Sequence, residues 1–380
     1  MPSPKPWIGM LHEVCTLAAG RYPAFVYAPA PAPLSGREVP VFMFHAVHPE
    51  TFERQLRHLA GNGYHTPTLD AFHAFLAGRD PLPPASVLLT FDDVERSLLT
   101  VGIPLLKRYG LRAAAFLVPG RIGPTAATGP SAGGKRWPDW ADVAAMADSG
   151  VIDFGSHTLN HAAIFVADRP VGFVHPGCFV DGLGLDNPVV RQDGCDRRLD
   201  ELGAPLFPTA SRMARQPRYY DDEAVRASCV RFVAERGGAD FFRGRDWRRR
   251  LETHWRSLGA GRESAGRRED AEEQAAAIRR ELIESRQVLE ERLGRPVLDF
   301  AYPWAAGSDL AVELSRAAGY RTNFWGPLPG VRINRAGQDP MRVARLKDDY
   351  LLRLPGRGRI SLSKVLLGKA RRRRACRDIY

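Results

Sequence analysis

Two adjacent carboxylates, Asp92 and Asp93, stand where a short apolar run, Val87 to Phe91, gives out. Neighbouring carboxylates each raise the cost of ionising the other unless a cation compensates, which points to a metal. The alternative is a helix cap followed by a first-turn acid. His157 and His161 follow a second such run, Ile152 to Ser156. Spacing of i and i+4 lets two imidazoles converge on one ion if the segment is helical or turn-like, and neutral imidazole suits zinc or a similar transition metal. Read alone, they could equally be polar surface or cap residues. A third run, Leu298 to Ala301, leads into Tyr302-Pro303-Trp304-Ala305-Ala306-Gly307. Proline and glycine around two aromatics can fix a backbone amide and offer a flat wall to a sugar ring, or simply make a packed strand terminus with a turn.

For these residues to meet, the runs before them must lie side by side. Short apolar segments alternate with longer amphipathic ones from Pro40 onward, the pattern of a parallel-stranded α/β fold. Seven strands are predicted: Val41 to His45, Val87 to Phe91, Ala113 to Val118, Ile152 to Ser156, Leu298 to Ala301, Arg321 to Phe324 and Arg342 to Leu346. Helices are predicted from Thr51 to Ala60, from a cap at Asp70 through Leu76, from Asp270 to Leu293 with Gly294 and Pro296 as the stop, and from Asp309 to Ala318. Ligands in wound α/β folds bind at the carboxyl ends of strands, and the motifs occupy such ends. One carboxylate with two histidines makes a three-ligand set that leaves positions open for water and substrate, so convergence is the favoured reading.

Residues 1–39, ending in the Ala-Pro alternation Ala28 to Pro33, carry no core pattern and read as an extension and stiff linker. Residues 40–355 make the main domain, interrupted at 162–270 by an insertion of mixed and helical texture with a helix from Asp222 to Arg236. Within it Asp181, Asp186 and Asp193 could touch metal or sugar, although loop solvation explains them as well. Residues 356–380 form a basic tail.

The chain has 380 residues, 44% hydrophobic and 26% charged, and a net charge of +11 concentrated in arginine at 243–250, 262–268 and 371–374. Such clusters could meet an anionic partner or merely solvate the surface; no nucleic-acid module accompanies them, and no nucleic-acid partner is expected. The tail, with Val365, Leu366 and Leu367 beside Arg371 to Arg374, could contact an anionic membrane peripherally. Five widely spaced cysteines argue against a disulfide framework or a zinc ribbon. The amino-terminal stretch lacks the pattern of a signal peptide, and no apolar run is long enough to span a bilayer. A cytoplasmic location, peripheral to the inner membrane face if the tail binds lipid, is the expectation.

Thr90-Phe91-Asp92-Asp93, then His157-Thr158-Leu159-Asn160-His161, then Phe300-Ala301-Tyr302-Pro303-Trp304, in that order, resemble the polysaccharide deacetylase family, also called carbohydrate esterase family 4 or the NodB-homology domain. The opening Val41 to Val47 and the helix Arg279 to Gly294 add to the likeness, which spans Pro40 to Leu346 without the insertion. The resemblance implies a distorted (β/α)7 barrel. It implies Asp93, His157 and His161 as ligands of a divalent metal, zinc or another transition metal, and Asp92 as catalytic base. It implies hydrolysis of an N-acetyl, less often an O-acetyl, group on a saccharide. Tyr302, Pro303 and Trp304 would border substrate, with a backbone amide such as that of Trp304 stabilising the oxyanion.

The chain departs from that family at several points. Val94 stands where glycine is usual, Ala301 stands where many members place an arginine that orients the base, and the late histidine that serves as general acid has no counterpart, His254 being the last in the chain. His45, at the end of the first strand, is the candidate proton donor, or else a structural histidine near the barrel mouth. Alternative readings are a catalytically impaired glycan- or lipid-binding barrel and a hydrolase of non-sugar amides. The sequence does not determine the oligomeric state.

Overall fold

The apolar runs become strands of one parallel sheet. A computed structural model describes residues 13–123, 137–179, 184–259 and 266–374. In it β1 (Val41–Phe44), β2 (Leu88–Asp92), β3 (Ala113–Leu117), β4 (Ile152–Ser156), β5 (Asp299–Ala301), β6 (Thr322–Phe324) and β7 (Leu346–Lys347) line up in the order β6-β5-β4-β3-β2-β1-β7. Every pairing is parallel. The expected last strand, Arg342 to Leu346, is the one most altered, because that segment serves two edges. Val343 bridges to Phe324 beside β6, and Leu346 and Lys347 pair with Phe42 and Met43 of β1. One short run thus ties the two edges of the curled sheet together as the distorted (β/α)7 barrel.

Alternation along the strands sorts side chains between two faces. Val41, Leu88, Ala114, Phe116, Ala301, Phe324 and Val343 share one cluster in the barrel interior. Their neighbours Phe42, Leu89, Phe91, Ala115 and Phe300 join the larger cluster packed under the helices. Gly155 is needed for this interior: a Cβ there would lie 2.5 Å from Cε1 of Phe116.

The outer face is covered by α1 (Pro49–Gly61), α3 (Ile103–Tyr109), α4 (Trp140–Asp148), α7 (Ala271–Leu293) and α8 (Asp309–Ala317). α7 begins at a capping box between Asp270 and Glu273 and ends at the left-handed Gly294, as its sequence signals suggest. α2 (Leu69–Leu76) places Phe72 and Phe75 against the interior cluster from below. Its cap is Thr68, whose side chain accepts the N–H of Ala71, rather than Asp70, which lies in the first turn. Both residues suit a helix start, and the one whose oxygen reaches the free N–H wins.

Two flanking segments differ from expectation. Residues read as a linker without a core pattern contribute Tyr22, Phe25 and Val26 to the main core. Carbonyls of that segment are held by Arg353, which bonds Val26 and Ala28, and by Arg359, which bonds Phe25 and Pro29. Glu38–Val39 pairs antiparallel with Asn334–Arg335, so the stretch also joins a small sheet. Three apolar residues at i, i+3 and i+4 were masked by the surrounding Pro and Ala. At the other end, α9 (Leu362–Arg374) buries Val365, and Lys369 pairs with Glu13 and Asp349, turning part of the basic tail inward.

The described residues of 162–270 form antiparallel two-stranded pairings and the helices α5 (Glu223–Ala234) and α6 (Trp247–Ser257), with small apolar clusters of their own. Asp193 occupies a left-handed turn between paired strands, Asp186 is half-buried nearby, and Asp181 lies outside the described residues. Among the described residues no helix is long and apolar enough to cross a membrane.

Candidate metal centre at the barrel mouth

β2 delivers its two carboxylates in different ways. Asp92 ends the strand, and the alternation that turns Leu88 inward turns Asp92 inward too. Asp93 lies just beyond, in the left-handed region with φ 55°, which aspartate tolerates better than most residues. That reversal brings its side chain to the mouth instead of the helical face. The turn is made at Asp93, so Val94, where the family carries glycine, is free to pack in the core.

β4 leads directly into His157, whose N–H donates to Leu117 O at 2.8 Å. Its Nδ1 donates to Ala301 O at 2.8 Å, which leaves the lone pair on Nε2. The segment 157–161 is a turn, not a helix: Thr158 and His161 have φ of 67° and 49°, and Thr158 Oγ1 accepts the His161 N–H at 2.9 Å. Asn160 in the same turn donates its N–H and its side-chain amide to Glu281 of α7 at 2.9 and 3.0 Å. From the insertion, Arg198 donates to the carbonyls of Asn160 and His161 as well as to those of Gly184, Leu185 and Asn187.

These turns bring Asp93 Oδ1 to 3.6 Å from His157 Nε2 and 3.5 Å from His161 Nε2. One ligand atom from each of the three buried residues lies within 4.8 Å of the others. Burial lowers both imidazoles, His161 well below its ordinary value, where His157 and Arg198 press in the same direction. Two neutral imidazole nitrogens and a carboxylate oxygen in such proximity fit a borderline divalent cation, and the Nδ1–H bond of His157 orients its ring for that purpose.

Asp92 lies beside this group, its Oδ2 3.9 Å from His157 Nε2. Its countercharge is a guanidinium that no motif announced. Arg345, fully buried, donates from Nη1 to Asp92 Oδ1 at 2.6 Å and from Nη2 to Oδ2 at 2.7 Å. Its Nε donates to Trp325 O at 2.8 Å. Burial works to raise Asp92, but Arg345, with His157, outweighs it and holds the carboxyl below its usual range. Arg345 stands between the two pairing points of the closing segment, with its guanidinium 5.6 Å from the Phe116 ring in the cluster that includes Ala301. An arginine that the third motif lacks is therefore replaced from the last strand. The available sequence signal was a lone arginine inside the apolar run Val343, Ala344 and Leu346.

The third motif divides. Tyr302 is fully buried and its hydroxyl accepts from Asn323 Nδ2 at 2.8 Å, so its ring offers no wall to a sugar. Pro303 is buried as well. Trp304 is 37% exposed with φ 52°, its ring centroid 4.1 Å from that of His161. The wall expected from two aromatics is one aromatic. His45 follows β1 at the mouth, half-buried, and desolvation pushes its imidazole down to about 4 against the pull of Asp92. Of the other histidines considered, His48 precedes α1, His175 packs near Trp247, and His254 stacks on Phe232.

Fold and site together define a (β/α)7-barrel protein with an Asp-His-His cluster and a second, arginine-paired aspartate at the carboxyl ends of its strands. Residues 79–171, a span containing both aspartates and both histidines, match the model of the polysaccharide deacetylase family. A curated relative, "Putative polysaccharide deacetylase YxkH" of Bacillus subtilis (strain 168), is 28% identical over 132 residues. That match covers 33% of this chain and 43% of the relative, less than half its length. Among solved structures, the de-N-acetylase from Aggregatibacter actinomycetemcomitans aligns over 81% of this chain and 94% of its own, at 17% identity and a TM-score of 0.51. IcaB from Ammonifex degensii aligns over 87% and 100%, at 18% and 0.50. The BpsB deacetylase domain from Bordetella bronchiseptica aligns over 83% and 98%, at 16% and 0.51. At these identities the structural likeness is one of fold.

Proposed function

We propose that this chain is a metal-dependent deacetylase that removes an acetyl group, foremost an N-acetyl group, from a saccharide or saccharide precursor. The observation that carries this reading is the convergence of Asp93, His157 and His161 to within 4.8 Å beside a buried aspartate kept anionic by Arg345. The names of the structural relatives, a de-N-acetylase and a deacetylase domain, point the same way.

Asp93, His157 and His161 would hold a divalent ion, zinc best matching the donor set, which would supply Lewis-acid polarisation of the acetyl carbonyl and a more acidic water. Asp92 accepts the proton released as water attacks, and its pairing with Arg345 keeps it ionised and aimed at the mouth. The Trp304 ring would border the saccharide, and its backbone amide would donate to the developing oxyanion. When the carbon–nitrogen bond breaks, acetate leaves and the amine needs a proton. Asp92, having taken the proton from water, can return it to the amine, and His45, whose imidazole burial pushes down to about 4, is the second candidate donor.

Elemental analysis and acetate release from a panel of N-acetylated amino-sugar oligomers and precursors test the reading. Asp93→Ala should lose bound metal, whereas Asp92→Asn should keep metal and lose activity. Unchanged metal occupancy in Asp93→Ala would refute the ligand set. Wild-type protein that holds metal yet releases no acetate across the panel would refute the deacetylase assignment.

A further inference from the structure

A cavity of about 930 Å³ lies beside the barrel mouth, between the insertion and α7. None of Asp92, Asp93, His157 and His161 lines it, although Asn160 of the intervening turn does. Eight arginines and five carboxylates form its walls, and most of the carboxylates are already committed. Asp221 is held by Arg226 at 2.6 Å, Glu273 by Arg267 at 2.7 Å, and Glu281 by the two Asn160 donors. Asp196 is left to serve three guanidiniums, with Arg218 at 3.0 Å, Arg191 at 3.6 Å and Arg280 at 3.8 Å. Arg197 lines the same cavity with no carboxylate in ion-pair distance among the described residues. The fifth carboxylate, Glu223, accepts the Asp193 N–H, and across the whole lining eight guanidiniums face five carboxylates, with Arg191, Arg197, Arg218 and Arg280 gathered on the side of Asp196. Arginine stays charged at any physiological pH, so the excess does not relax by titration.

We propose that this cavity binds a phosphate- or diphosphate-bearing ligand whose anionic group sits among Arg191, Arg197 and Arg280. A phosphoryl group spreads up to two charges over three acceptor oxygens and engages several guanidinium forks at once, whereas a carboxylate brings one charge, which Asp196 already supplies. The space exceeds what one phosphate fills and suits a ligand of ordinary small-molecule size. The Tyr220 ring is engaged by Arg218 and Arg267, whose guanidinium carbons lie 4.6 and 4.4 Å from its centroid. Apart from Asn160, the remaining wall is small and apolar, with Ala162, Ile164, Val189, Ala276 and Ala277, and leaves room for the body of the ligand beside its anionic group. Arg198 links the two places: it lines the cavity and also grips the carbonyls of Asn160 and His161.

The test is calorimetric titration of the full chain with inorganic pyrophosphate and the tricarboxylate tricarballylate, at matched ionic strength. Arg191 and Arg280 are about half exposed, so Arg191→Ala/Arg280→Ala should fold as the parent does. Pyrophosphate should bind with an affinity that falls as salt rises, weaken at least about tenfold in the double variant, and outbind tricarballylate. The same titrations on Asp93→Ala remove chelation at the barrel mouth from the signal, so this result stands apart from that of the proposed metal site. Absence of pyrophosphate binding, equal binding by the double variant, equal affinity for tricarballylate, or binding that vanishes in Asp93→Ala would each overturn the phosphate site.

Discussion

Replacing Arg345 with methionine leaves a similar volume in the barrel and removes the fork that faces Asp92 together with the Nε–H bond to Trp325 O. The pair is bidentate, at 2.6 and 2.7 Å, and both side chains are almost wholly buried. Removing one partner of such a pair strands the other charge and costs about 3–5 kcal/mol. Asp92 has one escape: with Arg345 gone, burial dominates, its pKa climbs, and it takes up a proton. The expected phenotype is a large loss of stability joined to an acidic limb of kcat/KM moved to higher pH, because the base must now be deprotonated without help. Asp92→Asn in the same background removes the stranded charge, so Asp92→Asn/Arg345→Met should be more stable than the sum of the single losses predicts, by about 2–3 kcal/mol. Urea unfolding of the four proteins gives the coupling, and the pH profile of wild type and Arg345→Met gives the limb. Arg345→Lys, which keeps the charge but not the fork, should fall between them and supplies the comparison if the methionine variant does not fold. An Arg345→Met loss below about 1 kcal/mol, or strict additivity in the double variant, would refute the positioning role argued for Arg345.

Asp299, at the start of β5, is pushed up to about 7 by burial while accepting a bond from the Thr322 hydroxyl. The folded state keeps a proton that the unfolded chain releases above about pH 4, so stability should fall as pH rises from about 4 to about 7, with the full penalty above that. Asp299→Asn should flatten this slope, gaining up to about 4 kcal/mol near pH 8 and almost nothing at pH 4; an unchanged slope in urea midpoints against pH would contradict the assignment. Trp304 combines an exposed ring with a left-handed backbone. Trp304→Gly should relieve about 1 kcal/mol of backbone strain while Trp304→Ala retains it, and both should raise KM for the saccharide. A glycine variant less stable than the alanine variant would rule out strain at this position.

The periodic features of this fold were legible along the chain. Seven short apolar runs, the capping box and glycine stop of α7, and the placement of both aspartates and both histidines at strand ends all follow from local pattern, because strand alternation and helix capping act over a few residues. Motif order was enough to suggest the family. What local pattern could not supply was every contact made across large sequence separation. Arg345 reaches Asp92 only because one segment pairs with both edges of the sheet, and neither that double pairing nor the inward turn of the side chain has a local signature. The packing of Tyr22, Phe25 and Val26 under Arg353 and Arg359 depends likewise on chain more than three hundred residues away. Tyr302 and Trp304, adjacent to the same proline, were indistinguishable as aromatics at a strand end. The partner Asn323 and the left-handed turn at Trp304 decided which ring is core and which faces the mouth. The two carboxylates were read as a pair in need of a cation, and here the tertiary structure divides them: Asp92 is compensated by a guanidinium, and Asp93 faces two imidazoles.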